Sequence, residues 1–310
     1  MCGLFGFLNY SKTDVKGLSE LTNSLAEYAS VRGTDATGIS YVNGGIIKIV
    51  KEAKAAEDME FKHTDNLRAL IGHTRHSTQG CEKRNYNNHP FLGKTKNARF
   101  SLAHNGVLYN DDELKKKYKL PRTRIETDSY IAVQLIESKK VFDVESIKYM
   151  AEKIEGSFSF SILDDRNNLY LVKGDSPISI LHFPKLKLYV YASTDEILYK
   201  ALIDSPLFLA LKKGEYEEVG ISEGDILKIC YDGTLTRNKF KYSYYCGKNW
   251  WDYGAFCSFG RDYTKSHYIE DLKTIACYQG YSPEDIDTLL RQEFSPEEIE
   301  EYIYCMDGEA

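Results

Sequence analysis

The second residue of the chain is a cysteine, and at that position a thiol can be more than core packing. Methionine aminopeptidase readily removes Met1 when a small residue follows, which would leave a thiol and a free α-amine on Cys2 together. An α-amine titrates near about 7.7 to 8.0, so at neutral pH part of it can take the thiol proton, directly or through water. A Met-Cys start is ordinary alone, but four segments downstream carry what thiol attack on an amide would need. RGTDATG (32–38) is a polar, glycine-punctuated loop around Gly33, suited to bringing backbone groups close to a ligand. IGHTRHSTQG (71–80) leaves an apolar strand and presents Arg75, whose guanidinium can hold a carboxylate through two parallel bonds. LAHNGVLYN (102–110) places Asn105 and Gly106 at an expected strand end, where a side-chain amide and a backbone N–H can form an oxyanion hole. ETDSYIAVQL (126–135) puts Asp128 at a helix N-terminus, able to hold an ammonium group. Each segment also has a plain structural reading: RGT and HNG as turns, Arg75 as a surface pair, Thr127-Asp128 as a helix cap.

These residues need elements to position them. Residues 3–9 (GLFGFLN) read as a buried strand, and 15–29 carry Val15, Leu18, Leu21, Leu25 and Tyr28 near helical spacing. An Asn43-Gly44 turn between β-rich flanks over 39–50 predicts a hairpin. Further strands are expected at 68–75, 99–104, 157–164, 168–173, 178–183, 188–192 and 226–231, and helices at 111–118, 127–139, 144–155 and 194–203. Many strands flanked by helices imply a layered domain of the α+β or α/β kind.

At 310 residues the chain can bury a large core without disulfides, and 42% hydrophobic with 28% charged residues is ordinary globular composition. A mean hydropathy of −0.44 and the lack of a long apolar run argue against a membrane span. Net charge −6 offers no basic field for a phosphate backbone, so nucleic acid is a poor partner. The start MCGLFGFLNYSKTD has no secretory pattern, and the expectation is a cytoplasmic protein with seven free thiols. Cys246, Cys257, His267 and Cys277 could in principle ligate zinc, but without a short-spaced ligand pair buried thiols are the simpler reading.

Three regions follow from these patterns: a domain over 2–240, an aromatic linker over 241–264 and an acidic helical tail over 265–310. Residues 242–263 hold nine aromatics, suited to a sticky partner surface or to packing on their own domain. In the tail, GYSPEDIDTLL (280–290) is echoed by EFSPEEIEEYI (293–303), each copy with a serine cap, proline at the first helical position and acids in the first turn. Residues 281–310 carry net −9, leaving the first 280 at +3. Each short helix keeps one apolar side, through apolar positions at Ile286, Leu289, Leu290, Phe294, Ile299 and Ile303. Such helices must pack on the domain or on a partner.

In this order after Cys2, the motifs resemble the class II glutamine amidotransferases, whose glutaminase domain belongs to the N-terminal nucleophile hydrolases. The resemblance covers about residues 2–235 and takes in EGSFSFSILD (155–164) and YASTDE (191–196). The CGLFGF start and GHTR are similar to the glutaminase domain of glucosamine-6-phosphate synthase, LAHNG and NHPF to that of amidophosphoribosyltransferase. The resemblance implies a four-layer αββα sandwich of the α+β class, here with a C-terminal helical extension, and no metal or organic cofactor. It implies that Cys2 attacks the side-chain amide of glutamine to give a γ-glutamyl thioester and ammonia, and that Asn105 and Gly106 stabilise the oxyanion. Arg75 with Thr78 would bind the α-carboxylate, and Asp128 with the Gly33 loop the α-ammonium.

The chain departs from the pattern at His76, where the relatives usually carry Trp or Tyr, and at Gln79. In the family this segment orders over glutamine, so His76 belongs to the substrate-binding set with altered gating. About 70 residues after residue 240 hold neither a sugar-isomerase pair nor a phosphoribosyltransferase domain, so ammonia is expected to reach a separate synthase subunit or to be released. Two other functions fit less well: a γ-glutamyl amidase or peptidase on the same fold, and a non-catalytic binding module, which would have no need for Cys2, Arg75, Asn105, Gly106 and Asp128 together.

Overall fold

Side-chain alternation along the strands decides the layering. In β1 (Gly3–Asn9), Phe5 and Phe7 enter one apolar cluster and Leu4 and Leu8 another, so the strand is buried on both faces. The same double burial recurs in β4 (Ala69–Arg75) and β7 (Gly156–Asp164). A sheet buried on both sides needs a second sheet over one face and helices over the other.

The computed structural model describes residues 2–242 and, beyond them, 269, 272, 273, 282–292, 294–296, 298 and 299. The chain divides into two compact units, Met1–Ser243 and Tyr244–Ala310. In the first unit the remaining strands are β2 (Ala36–Asn43), β3 (Ile46–Glu52), β5 (Phe91–Lys94), β6 (Arg99–Leu108), β8 (Leu169–Lys173), β9 (Ser179–Phe183), β10 (Leu188–Ala192), β11 (Glu217–Glu218), β12 (Asp225–Ile229) and β13 (Leu235–Lys239). They form two antiparallel sheets, one ordered β11-β9-β10-β1-β4-β2-β3 and the other β13-β12-β8-β7-β6-β5. Its helices are α1 (Leu18–Ala29), α2 (Asp111–Lys117), α3 (Tyr130–Ser138), α4 (Val144–Ala151), α5 (Asp195–Ile203) and α6 (Phe208–Lys212).

Leu18, Leu21 and Leu25 of α1 and Leu198 and Leu202 of α5 cover the Phe5 and Phe7 face of the first sheet. Ile131, Leu135 and Ile136 of α3 with Ile147 and Met150 of α4 cover Phe100, Phe158 and Phe160 of the second. Between the sheets lies a third cluster, with Leu4, Leu8 and Ile71 from one and Ala103, Leu163 and Leu171 from the other. The architecture is therefore the expected four-layer αββα sandwich of the α+β class. No helix among the described residues is long and apolar enough to cross a membrane.

The hairpin forms, but Asn43 pairs with Ile46, so Gly44 and Gly45 make the turn rather than Asn43-Gly44. Both glycines have positive φ, 58° and 74°, as a tight turn of this hand requires. Strand β6 continues past residue 104 to Leu108, which corrects the placing of Asn105 and Gly106 at a strand end. Gly106 still pairs with Phe158, at a φ of 130° that side chains disfavour. In the second unit, α7 (Pro283–Arg291) starts as the repeat predicts: Ser282 accepts from the Asp285 N–H and Asp285 reaches back. Ser295 and Glu298 repeat that reciprocal cap. The aromatic stretch after Tyr242 and all four residues of the zinc set lie outside the described residues.

Both sheets place a ring over a facing glycine. Phe5 lies opposite Gly72, and Phe100 opposite Gly93. A Cβ on Gly72 would come within 2.2 Å of the Phe5 ring, which is fully buried and has no room to yield. Gly72→Ala is therefore expected to cost about 1–3 kcal/mol, read as a lower urea midpoint at unchanged m-value.

Candidate active site

The site lies where the two sheets face each other. Side-chain alternation puts Cys2 on the Leu4 and Leu8 side of β1, Arg75 on the Ile71 side of β4, and Asn105 on the Ala103 side of β6, all toward the inter-sheet layer. Gly3 pairs with Thr74, so Cys2 sits beside the end of β4. Its thiol donates to the carbonyl of His76 at 3.5 Å, and its own carbonyl accepts from Arg32 Nε at 3.0 Å. Burial pushes the Cys2 thiol above its ordinary pKa; the His76 bond and the Arg75 charge pull it down, and the Asp128 charge raises it. A thiol so placed is largely protonated at neutral pH and needs a base to become a nucleophile.

Arg75 is buried and holds the loop that follows it. Nη1 donates to Asn88 Oδ1 at 2.6 Å, and Nη2 donates to the carbonyls of Gln79 and Gly80, both at 2.7 Å. Of the five N–H donors of a guanidinium, these bonds leave Nε–H and one Nη1 hydrogen for a ligand. Gly33 packs flat against the Arg75–His76 peptide, where a Cβ would lie 2.3 Å from the Arg75 carbonyl carbon. Asp35 N–H donates to the Arg75 carbonyl at 3.0 Å, and its carboxylate accepts from Ser77 N–H at 2.6 Å. The RGTDATG segment thus acts as a brace for the Arg75 loop. Thr78 and Gln79 lie exposed on that loop, and His76 meets Cys2 through its backbone.

On the opposite sheet Asn105 is fully buried, and neither Oδ1 nor Nδ2 finds a partner among the described residues. A buried amide left unpaired costs free energy unless a ligand completes it. Asp128 precedes α3 rather than capping it; Oδ2 accepts from Leu108 N–H at 2.7 Å and Oδ1 from Ser129 Oγ at 3.3 Å. Its carboxylate is thereby fixed two residues beyond Gly106. Among the described residues no group of His, Cys, Asp or Glu is arranged to hold a metal ion.

Spacing alone did not single out Arg32, Asp35, Asn88 or Lys51. Arg32 and Asp35 stood inside a quoted motif, and Asn88 inside NHPF, so the signal available was a polar residue in a motif with no role given to it. Lys51 lies just beyond the hairpin read over 39–50 and carries no signal. Its ammonium donates to the carbonyls of Asn88 and Pro90 and lies 5.1 Å from the centre of the Phe91 ring, supporting the segment that holds Arg75.

Residues 73–200 match the model of the glutamine amidotransferase domain. Glutamine–fructose-6-phosphate aminotransferase (isomerizing) of Staphylococcus aureus is 33% identical over 194 residues, which is 57% of this chain and 30% of that protein. Its counterpart in Staphylococcus epidermidis is 34% identical over 194 residues, 58% of this chain and 30% of that protein. The chain thus spans under a third of the length of these curated relatives. Among solved structures, the Bacillus subtilis glutamine phosphoribosylpyrophosphate amidotransferase complexed with ADP and GMP aligns with a TM-score of 0.61 at 20% identity. That alignment covers 78% of this chain and 50% of that one, and the likeness is one of fold.

Lys51 supplies a test of the local electrostatics. Burial, and then the Arg75 charge, lower its pKa from 10.5 to about 8; the other groups facing it are the neutral rings of His73 and His89. Between these values the unfolded chain holds the proton more tightly than the folded one, so stability rises with pH through that window. From pH 8 to 9.5, wild type is expected to gain stability over Lys51→Met by up to about 1.4 kcal/mol per pH unit. Urea melts at both ends of the range check this; a constant difference would mean that Lys51 titrates normally.

Proposed function

From the match of residues 73–200 to the glutamine amidotransferase domain and the order of the motifs, we propose that this chain carries a class II glutamine amidotransferase domain and hydrolyses glutamine to glutamate and ammonia through Cys2. Removal of Met1 exposes the Cys2 α-amine, which takes the thiol proton as sulfur attacks the γ-carboxamide carbon. The C–S bond forms, and the carbonyl electrons move onto oxygen, where the Asn105 amide and the Gly106 N–H donate to the oxyanion. Collapse of this intermediate breaks the C–N bond, and the nitrogen leaves as ammonia with the proton that the amine had taken. Water then attacks the thioester, gives its proton to the amine, and releases glutamate as the thiol is restored. Arg75, with Thr78 beside it, takes the α-carboxylate of glutamine; Asp128 and the Gly33 loop take the α-ammonium; the His76 carbonyl holds the resting thiol.

The observation that carries this reading is Asn105, buried without a hydrogen-bond partner for either side-chain atom on the face turned toward the sheet of Cys2. An oxyanion donor has that character before its substrate arrives. The ammonia is proposed to pass to a synthase acceptor. The aminotransferases that share this region are proteins of which it forms 30%.

The purified protein with Met1 removed, verified by intact mass, is expected to convert glutamine to glutamate, and Cys2→Ala to abolish the activity. A glutamine-like electrophile such as diazo-oxo-norleucine should add one increment at Cys2 and none at other thiols; full turnover by Cys2→Ala would refute the nucleophile. Steady-state kinetics separate the remaining roles. Arg75→Ala should chiefly raise KM, by an equivalent of about 2–4 kcal/mol, because its charged contact exists in ground and transition states alike. Asn105→Ala should lower kcat by about 10²- to 10³-fold, since its donor matters once the oxyanion exists.

A further inference from the structure

We propose that His73 is a positioning residue for the oxyanion hole: from the sheet that carries Cys2, it clamps the carbonyl of His104, the peptide group that leads directly into Asn105. The inference rests on the glutamine hydrolysis proposed above. His73 lies on β4, paired with Leu4 two residues after the nucleophile, and is buried in the inter-sheet layer. Its Nε2 stands 2.9 Å from the His104 carbonyl oxygen on the other sheet. A carbonyl only accepts, so Nε2 carries the hydrogen and donates, which fixes the tautomer. Burial lowers the His73 pKa to about 3, so one neutral tautomer makes this bond throughout the working range of pH.

Asn105 needs such support. Its side chain has no hydrogen-bond partner of its own among the described residues, and the next residue, Gly106, sits at a φ of 130° that only glycine adopts readily. With no hydrogen bond of its own to aim it, the amide depends on the backbone on either side for its direction. Upstream, His104 is held three ways: its carbonyl by His73, its Nδ1 by Ser129 Oγ at 2.8 Å, and its ring by stacking on Phe160 at 4.6 Å. Of these bonds, only the one from His73 comes from the opposite sheet, so it ties the height of Asn105 to that of Cys2. The His73 ring also lies 4.1 Å from that of His89, next to Asn88, the partner of Arg75.

His73→Phe keeps an aromatic ring against His89 and deletes the donor. With the Met1-processed full chain, this variant is expected to lower kcat by about 10- to 100-fold while KM stays within about threefold, because a displaced donor is felt mainly in the transition state. Alkylation of Cys2 by iodoacetamide should proceed at the wild-type rate. His73→Gln, whose amide N–H can still reach the carbonyl, should recover most of kcat, whereas the shorter His73→Asn should not. In an Asn105→Ala background, His73→Phe should cost nothing further in kcat. A wild-type kcat in His73→Phe, or the same fold loss with and without Asn105, would overturn the inference. If His73→Phe proves unfolded by its thermal melt, equal kcat in His73→Gln and His73→Asn would overturn it instead. A wild-type protein that does not hydrolyse glutamine refutes the reading of the site itself and is seen before any His73 variant is made.

Discussion

The structure depends on the distance between two sheets. The nucleophile candidate immediately precedes a strand of one sheet, and the buried amide on the facing layer belongs to a strand of the other; no single element carries both. Facing sheets lie about 10 Å apart, a gap set by the side chains packed between them. Here that layer mixes long residues, such as Leu4, Leu8 and Leu163, with short ones, such as Ala69 and Ala103. Ser40 of β2 and Ser101 of β6 hydrogen-bond across it at 2.5 Å, and His73 reaches the His104 carbonyl closer to the site. A close-packed interior yields little, so a change of side-chain volume in this layer reaches the geometry of Cys2 and Asn105 without touching either.

The residues directly after Cys2 are held from both sides. Strand β1 lies between β10 and β4, and Leu4 is bonded at both backbone groups by Ser193, whose hydroxyl accepts from its N–H and whose N–H donates to its carbonyl, each at 2.8 Å. Chain ends ordinarily fray unless docked in this way. The docking lets a residue next to the start of the chain present a thiol at a fixed position. It also explains the glycine at position 3, where a Cβ would lie 2.5 Å from Thr74 Oγ1 and 2.9 Å from the Ala29 carbonyl.

What the sequence conveyed follows the range of the interactions involved. GLFGFLN reads as a strand because its burial on both faces is local in composition, and β1 spans those residues. The repeated Ser-Pro-acid pattern reads as a helix start because capping acts within one turn, and Ser282 caps as expected. Where pairing across the sheet governs, local reading fails: HNG resembles a turn, yet Asn105 and Gly106 continue a ladder with Ser159 and Phe158. Strand β13, with its polar LTRNK, and the short β5 owe their form to neighbouring strands and left no signal of their own. The motif residues Cys2, Arg75, Asn105 and Asp128 were legible as types in order. Their supports were not, because Arg32, Asp35, Lys51, Asn88 and His73 act through partners that sequence spacing does not reveal.

Arg75 joins the Cys2 side of the site to its own loop. The same guanidinium that is proposed to take a substrate carboxylate already orders its own loop through Gln79 and Gly80 and is in turn held by Asn88. Ser77, on that loop, is bonded to the Asp35 carboxylate, and the His76 carbonyl, at its start, accepts the Cys2 thiol. Substrate binding, loop order and the resting state of the nucleophile are therefore linked through a few adjacent residues. A ligand that draws on the remaining Arg75 donors adds a negative charge beside a thiol whose pKa burial has already raised, which further disfavours a free thiolate before attack. A base that removes the proton only as sulfur attacks avoids that cost, and this is the role proposed above for an α-amine on Cys2 itself.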